Sequence, residues 1–186
     1  MQHIVHTIPP VYDSGSRVLI LGTMPSPQSR AAAFYYGHKH NRFWAVLGAV
    51  FNLEIGPSAA DKKHFLLSRG IALWDVLAEC DISGASDSSI RNPAANDFGA
   101  IFAAAPVQAV LTTGRTAYRL YEKLCSEKYN APFFYLPSTS PANCAVSMER
   151  ITGIYKKLLL RFLTEPPADT GAEAQRLSPA YPRRSI

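Results

Sequence analysis

The chain alternates two patterns of apolar positions. Residues 17–22 are a short, branched, almost continuously apolar run ending in Gly22, the pattern of a strand buried on both faces. From Asn41 to Phe51, the residues Phe43, Val46, Leu47 and Val50 recur at spacings of 3, 1 and 3, which places them on one helical face. Residues 59–69 predict a second helix closed by Gly70, and residues 71–76 a second strand. The stretch from Asp81 to Asp97 is rich in Ser, Asn and Gly and reads as a long irregular loop, a feature that is usually functional or mobile in a compact domain. Beyond it the pattern predicts a short helix at 98–104, a strand at 107–112, a helix at 115–128, a strand at 133–136 and a final helix at 143–163.

Strands that alternate with helices predict an α/β three-layer sandwich with a central, mostly parallel four-stranded sheet. In such a sheet ligands sit at the carboxyl ends of the strands. Four segments should therefore meet at one edge: Gly22–Pro27, Trp74–Asp75, Thr112–Gly114 and Pro137–Asn143. Three of them are polar and rich in Ser, Thr, Pro or Gly.

The composition narrows the class. With 186 residues, 47% hydrophobic and 18% charged, the chain has the material for one globular core and too little charge to stay unfolded. Residues 1–164 are expected to form the domain. Residues 165–186, with four of the 14 prolines and no periodicity, are expected to be a disordered tail. The longest apolar runs, such as 18–21 and 101–105, fall far short of the roughly 20 residues that a membrane span requires. Residues 1–10 lack the pattern of an export signal, so the expected location is the cytoplasm, with no membrane contact. Three cysteines, Cys80, Cys125 and Cys144, form no pairing motif and are read as packing residues.

The net charge of +5 hints at a polyanionic partner. Between Ser14 and Leu53 stand Arg17, Arg30, Lys39 and Arg42, and no acid. Charge alone fits a solvated basic face equally well.

The segment from Phe34 to Trp44, FYYGHKHNRFW, resembles the stretch after the first active-site motif in the mismatch-specific branch of the uracil-DNA glycosylase superfamily. Three further likenesses keep chain order: GTMPS at 22–26 resembles the first motif, GIALWD at 70–75 the base-reading strand, and STSPAN at 138–143 the closing motif. Together they span roughly residues 17–160. Two departures define the subgroup. The position of the superfamily's water-activating Asp or Asn holds Met24, which cannot polarise water, and Ser138 stands where a closing-motif histidine is common. This combination is similar to the hypoxanthine-DNA (deoxyinosine) glycosylases, sometimes called family six.

The resemblance implies that Asn41 inherits the catalytic role. Its amide oxygen would accept a hydrogen bond from the attacking water, while the same position equally suits a cap for the helix at 42–51. Asp75 closes an apolar strand, where a carboxylate must be paired, exposed or functional. It would accept from N1–H of hypoxanthine, a donor that adenine lacks. A fixed negative charge beside a departing anion would slow departure, so Asp75 is expected to carry a raised pKa or to serve the sugar cation or water. Gly22, Thr23 and Met24 would shape the base pocket, and Tyr36, or Tyr35 in its place, would stack on the extruded base.

Ser26, His38, Arg42, Ser138, Thr139, Ser140 and Asn143 are the expected DNA contacts, with Ser140 and Pro141 reading as a helix start suited to phosphate. Arg42 is equally a packing arginine, and Trp44 and Trp74 are expected in the core. His38 and His40 find no third ligand at familiar spacing, so neither a metal nor an organic cofactor is expected. The resemblance implies a monomeric, monofunctional enzyme of base excision repair acting on DNA with deaminated bases: hypoxanthine first, uracil second. The rival readings are a mismatch-type uracil or thymine glycosylase and a module that binds damaged bases without cutting them.

Overall fold

Residues 18–21 have no polar side chain to offer water, and the chain places them at the middle of a sheet. The computed structural model describes residues 1–164. Its main sheet has four strands in the order β3–β2–β6–β7: β2 is Val18–Gly22, β3 Ile71–Asp75, β6 Ala109–Thr113 and β7 Phe133–Leu136. All three pairings are parallel. The two-residue alternation of a strand sends Val18 and Ile20 to one face and Leu19 and Leu21 to the other, and all four are fully buried.

One face is covered by α2 (Phe43–Phe51), α3 (Ala59–Ser68) and α6 (Met148–Thr164). On α2 the buried residues are Phe43, Val46, Leu47 and Val50, the face predicted by the sequence spacing. The opposite face is covered by α4 (Gly99–Ala104), α5 (Arg115–Leu124) and a second, smaller sheet. The three-layer sandwich is therefore present, with its central sheet wholly parallel.

The second sheet corrects the sequence reading. β1 (Gln2–Val5), β4 (Leu77–Ile82) and β5 (Arg91–Ala95) pair antiparallel in the order β1–β4–β5. The predicted irregular loop from Asp81 to Asp97 thus contains the end of β4, a 3-10 turn at Asp87–Ser89 and all of β5. Register shifts between β4 and β5 break the period of two that would have revealed them.

Two further boundaries differ. A short helix, α1 (Pro27–Ala31), follows β2, capped by Ser26 with Pro27 at its first position. The last helix begins at Met148 rather than at residue 143, so Ser140 and Pro141 lie in a turn and not at a helix start. Cys80 and Cys125 are buried, as packing residues should be, but Cys144 is exposed. Trp44 and Trp74 sit half-buried at the margins of the core. The tail at 165–186 lies outside the described residues. No helix among the described residues is long and apolar enough to cross a membrane.

Ser58 and Asp61 form a complete capping box at the start of α3, and neither lines the strand-end cavity. Ser58→Ala should therefore lower stability by about 1 kcal/mol in urea unfolding and leave ligand binding at the strand ends unchanged.

Candidate functional site

The carboxyl ends of β2, β3 and β6 and the segment after β7 open onto one cavity of about 700 Å3. The four segments expected to meet there do so: Gly22–Ser26, Asp75, Thr113 and Ser138–Asn143 all line it. Tyr36, His38 and Asn41 line it from the loop before α2, and residues 84–88 close the remaining side.

Its floor is built from two neighbouring strand ends. Gly22 and Asp75 stand opposite each other in the β2–β3 register. Because Gly22 has no Cβ, the Asp75 carboxylate can lie directly over it; a methyl group there would overlap Asp75 Oδ1. Pairing continues past the strand ends, with Val76 N donating to Gly22 O at 2.9 Å and Leu77 N to Thr23 O at 3.1 Å. Asn96 Nδ2 braces the corner by donating to Asp75 O and Leu77 O.

Asp75 is 5% exposed. Its Oδ2 lies 2.9 Å from His6 Nε2, and the His6 side chain is 1% exposed. Burial pushes the Asp75 carboxyl above its ordinary value of 3.8, and the hydrogen bond and charge of His6 oppose that rise.

Asn41 lies between the two readings that the sequence left open. Its Oδ1 accepts from Phe43 N at 3.0 Å, bracing the turn that leads through the N-cap Arg42 into α2, and from Thr139 Oγ1 at 2.9 Å. A main-chain N–H can only donate, so the amide orientation is fixed and both lone pairs of the oxygen are used. Nδ2 has no hydrogen-bond partner among the described residues. The amide thus offers the cavity its donors, whereas the expected water-orienting acceptor is its oxygen.

The closing segment is tied to this loop. Arg42 donates from its two terminal nitrogens to Val146 O and Asn143 O, each at 2.7 Å, and Arg42 N donates to Thr139 O. Asn143 Nδ2 donates to Ser138 O at 2.7 Å, and Tyr155 Oη to Pro137 O at 3.1 Å. Arg42 and Thr139, expected at DNA, are occupied inside the protein, and Thr139 is 1% exposed. Ser138 and Ser140 remain at the cavity wall, where Ser138 Oγ accepts from Ser140 N.

The two tyrosines have different tasks. Tyr35 is buried, and its hydroxyl reaches Pro9 O at 2.9 Å and Ile8 O at 3.1 Å, which anchors the N-terminal segment. Tyr36, at φ 54°, stacks one ring face on Phe43 at 3.7 Å and shares a hydrogen bond with Thr113 Oγ1 at 3.0 Å. Burial, with the charge of Asp75 behind it, keeps the Tyr36 hydroxyl protonated.

In the first motif, Thr23 Oγ1 donates to Asp87 Oδ2 at 2.9 Å, Met24 packs on the second core, and Ser26 caps α1. Asp87 is exposed as a residue, but its carboxylate turns inward onto Thr23. Crowding there raises its pKa above 3.8, the Thr23 bond opposes the rise, and the charge of Asp75 adds to it.

His6, Asp87 and Thr113 are the site residues that the sequence reading did not select. Thr113 stood in a segment assigned to the right edge, and Asp87 in a loop judged functional or mobile. His6 belongs to a stretch without periodicity and gave no signal. Nothing clusters as a metal site among the described residues, and His38 Nδ1 is taken by His40 N.

Two outcomes follow from the floor. Gly22→Ala should cost about 1–3 kcal/mol in thermal or urea unfolding, because the Asp75 carboxylate must leave its place. Asp75→Asn should raise the melting temperature at neutral pH. The folded-state pKa of Asp75 is raised, so the stability that its protonation contributes is complete below 3.8 and is lost as pH rises through the folded-state value; the gain from asparagine should shrink on acidification.

The chain is 33% identical over 144 residues to a hypoxanthine DNA glycosylase of Methanosarcina acetivorans, an alignment covering 76% of this chain and 90% of that protein. A hypoxanthine DNA glycosylase of Methanosarcina barkeri is also 33% identical, over 109 residues, 58% of this chain and 69% of the relative. A solution NMR structure of a candidate uracil DNA glycosylase from Methanosarcina acetivorans superposes with a TM-score of 0.69 at 30% identity, covering 84% of this chain and 99% of that one. The profile of the Uracil DNA glycosylase superfamily matches residues 9–163, which contain the main sheet, its covering helices and all of the cavity lining, and the chain belongs to that superfamily.

Proposed function

We propose that this protein removes hypoxanthine from DNA by hydrolysing the N-glycosidic bond of deoxyinosine, acting as a cytoplasmic monomer in base excision repair. The observation that carries the reading is the pairing in one strand-end cavity of a buried acceptor, Asp75, with a fixed donor, Asn41 Nδ2. Hypoxanthine presents the complementary edge, a donor at N1 and acceptors at O6 and N7. Adenine, in the same pose, would set an acceptor at N1 against Asp75 and a donor at C6 in place of the O6 acceptor. Uracil carries a similar pattern, and the likeness to two hypoxanthine glycosylases favours the purine.

The reaction needs the nucleotide turned out of the duplex. Tyr36, backed by Phe43, is the surface on which the base stacks, above Gly22, Thr23 and Met24. Ser26, His38, Ser138, Ser140 and Asn143 border the entrance and would face the backbone of the strand.

The bond from C1′ to the base nitrogen breaks with its electron pair going to the base. A water oxygen then bonds to C1′, and the proton it sheds ends on the released base through solvent. Charge builds on the base, so donors fixed where that charge develops lower the barrier. Asn41 Nδ2 is such a donor, held without reorganisation because its oxygen is locked by Phe43 and Thr139. The water is oriented by other means, since Met24 offers no hydrogen-bonding group of use.

The test is a set of duplex oligonucleotides carrying inosine, uracil or no lesion, incubated with the protein and then heated in alkali. Scission is expected at inosine and is expected to be weaker or absent at uracil; a preference for uracil would assign the mismatch-type activity instead. Asn41→Asp keeps the accepting oxygen and removes the donors. It should fold with wild-type stability and lose about 100- to 1,000-fold in single-turnover excision, the typical cost of one such donor. Retained excision would remove Asn41 from the chemistry, and retained binding without any scission by the wild-type protein would favour the damage-binding module.

A further inference from the structure

The buried carboxylate that reads the base lies against a histidine that the excision reading does not yet use. His6 follows β1, and its ring is held from several sides. His6 N donates to Ala78 O at 2.7 Å, Val11 and Leu73 exchange main-chain hydrogen bonds, and the Tyr35 hydroxyl grips Ile8 O and Pro9 O. The imidazole sits beside Tyr35 and edge-on to Trp74, with centroids 6.2 and 6.1 Å away. Its Nε2 meets Asp75 Oδ2, while Asp75 Oδ1 accepts no hydrogen bond among the described residues and lies over Gly22 at the cavity floor.

Among the described residues, His6 is the one group able to carry positive charge that is bonded to Asp75. From β3 comes Asp75 itself, from the loop before α2 come Tyr35 and Tyr36, and from the 83–90 loop comes Asp87. None of these can bring positive charge; among the described residues lining the cavity His38 is the other group that can, its Nδ1 bonded to His40 N and not to Asp75, and there is no lysine or arginine. A base leaving as an anion above a bare Asp75 carboxylate would be repelled in a medium of low dielectric. One proton shared between His6 and Asp75 removes that repulsion, whichever of the two carries it.

We propose that His6 is the positioning residue for Asp75: its imidazole clamps one carboxylate oxygen, turns the other to the base, and supplies the proton that leaves the couple uncharged as the base departs. The proposal rests on the excision reading and assigns His6 no contact with the nucleotide. It also explains why a segment before the first core strand is strapped so closely to both sheets.

The test compares single-turnover excision of hypoxanthine from about pH 5 to about pH 9 for the wild type, His6→Gln, Asp75→Asn and the double variant. Glutamine keeps an N–H donor and cannot carry the proton. With only one site left for that proton, the couple must lose it at lower pH than in the wild type. The alkaline fall in rate should therefore move to lower pH by about one unit in His6→Gln, a roughly tenfold loss at alkaline pH that fades on acidification. Asp75→Asn should lack the fall, and adding His6→Gln to it should cost nothing further. A His6→Gln profile that overlies the wild type, or that drops by one factor at every pH, overturns the proposal.

The imidazole nitrogens of His6, followed by NMR without substrate, give a second measure. Their chemical shifts are expected to change in Asp75→Asn, which removes the carboxylate facing Nε2, and unchanged shifts overturn the couple. Failure of the wild-type protein to cut at inosine overturns the excision reading instead, so the two failures are read from different measurements.

Discussion

A carboxylate at the end of a strand that is otherwise wholly apolar must find a partner or give up its charge, and the site is arranged around that requirement. Asp75 is buried because β3 is one of four parallel strands covered on both faces, and it is accommodated because its neighbour in the register is Gly22. Removing the Cβ at one position solves a packing problem, and placing His6 against Oδ2 solves an electrostatic one. The remaining oxygen is left at the floor of the cavity. The sheet, the glycine and the histidine thus together determine which part of Asp75 a ligand can meet.

The donor side of the cavity is fixed by a different logic. The loop before α2 and the segment after β7 are far apart in sequence and hold each other through Arg42, Thr139 and Asn41. Charge-assisted bonds from Arg42 to two loop carbonyls are stronger than neutral ones, and they fix the shape of the segment after β7. Tyr36 benefits in the same way, since Phe43, the first residue of α2, both donates to Asn41 Oδ1 and backs the tyrosine ring.

Most of the main sheet was legible in the sequence because parallel, doubly buried strands are continuous apolar runs. Residues 17–22, 71–76 and 133–136 needed no tertiary information to be recognised. The small antiparallel sheet was not legible. β5 reads Arg-Asn-Pro-Ala-Ala, with no apolar alternation, and β4 pairs with it through shifted register, so no period of two survives in either. At the site, the cavity-lining residues found from sequence were those at strand ends, placed by the sheet architecture, and Tyr36, His38 and Asn41, supplied by the family resemblance. His6 was invisible because its role depends on a strand pairing 70 or so residues away, and Asp87 because its inward turn depends on one hydroxyl of Thr23. The apparent helix start at Ser140 misled for a related reason: serine before proline suits a turn as well as a cap.

The methionine at position 24 becomes intelligible from these contacts. The carbonyls of Gly22 and Thr23 are taken by Val76 N and Leu77 N, and the Thr23 hydroxyl by Asp87. With these groups engaged, an apolar side chain packed on the second core suits the wall at position 24 better than a carboxylate would. A carboxylate at that position would also have added a third negative charge near Asp75 and Asp87, in a cavity that lacks lysine and arginine. Moving the polar work to an amide is consistent with that constraint, because Asn41 brings donors without charge and is held in one orientation by bonds that also start α2. On the proposed reading, the loss of the usual residue and the use of a neighbouring one are a single adjustment to the electrostatics of a buried aspartate.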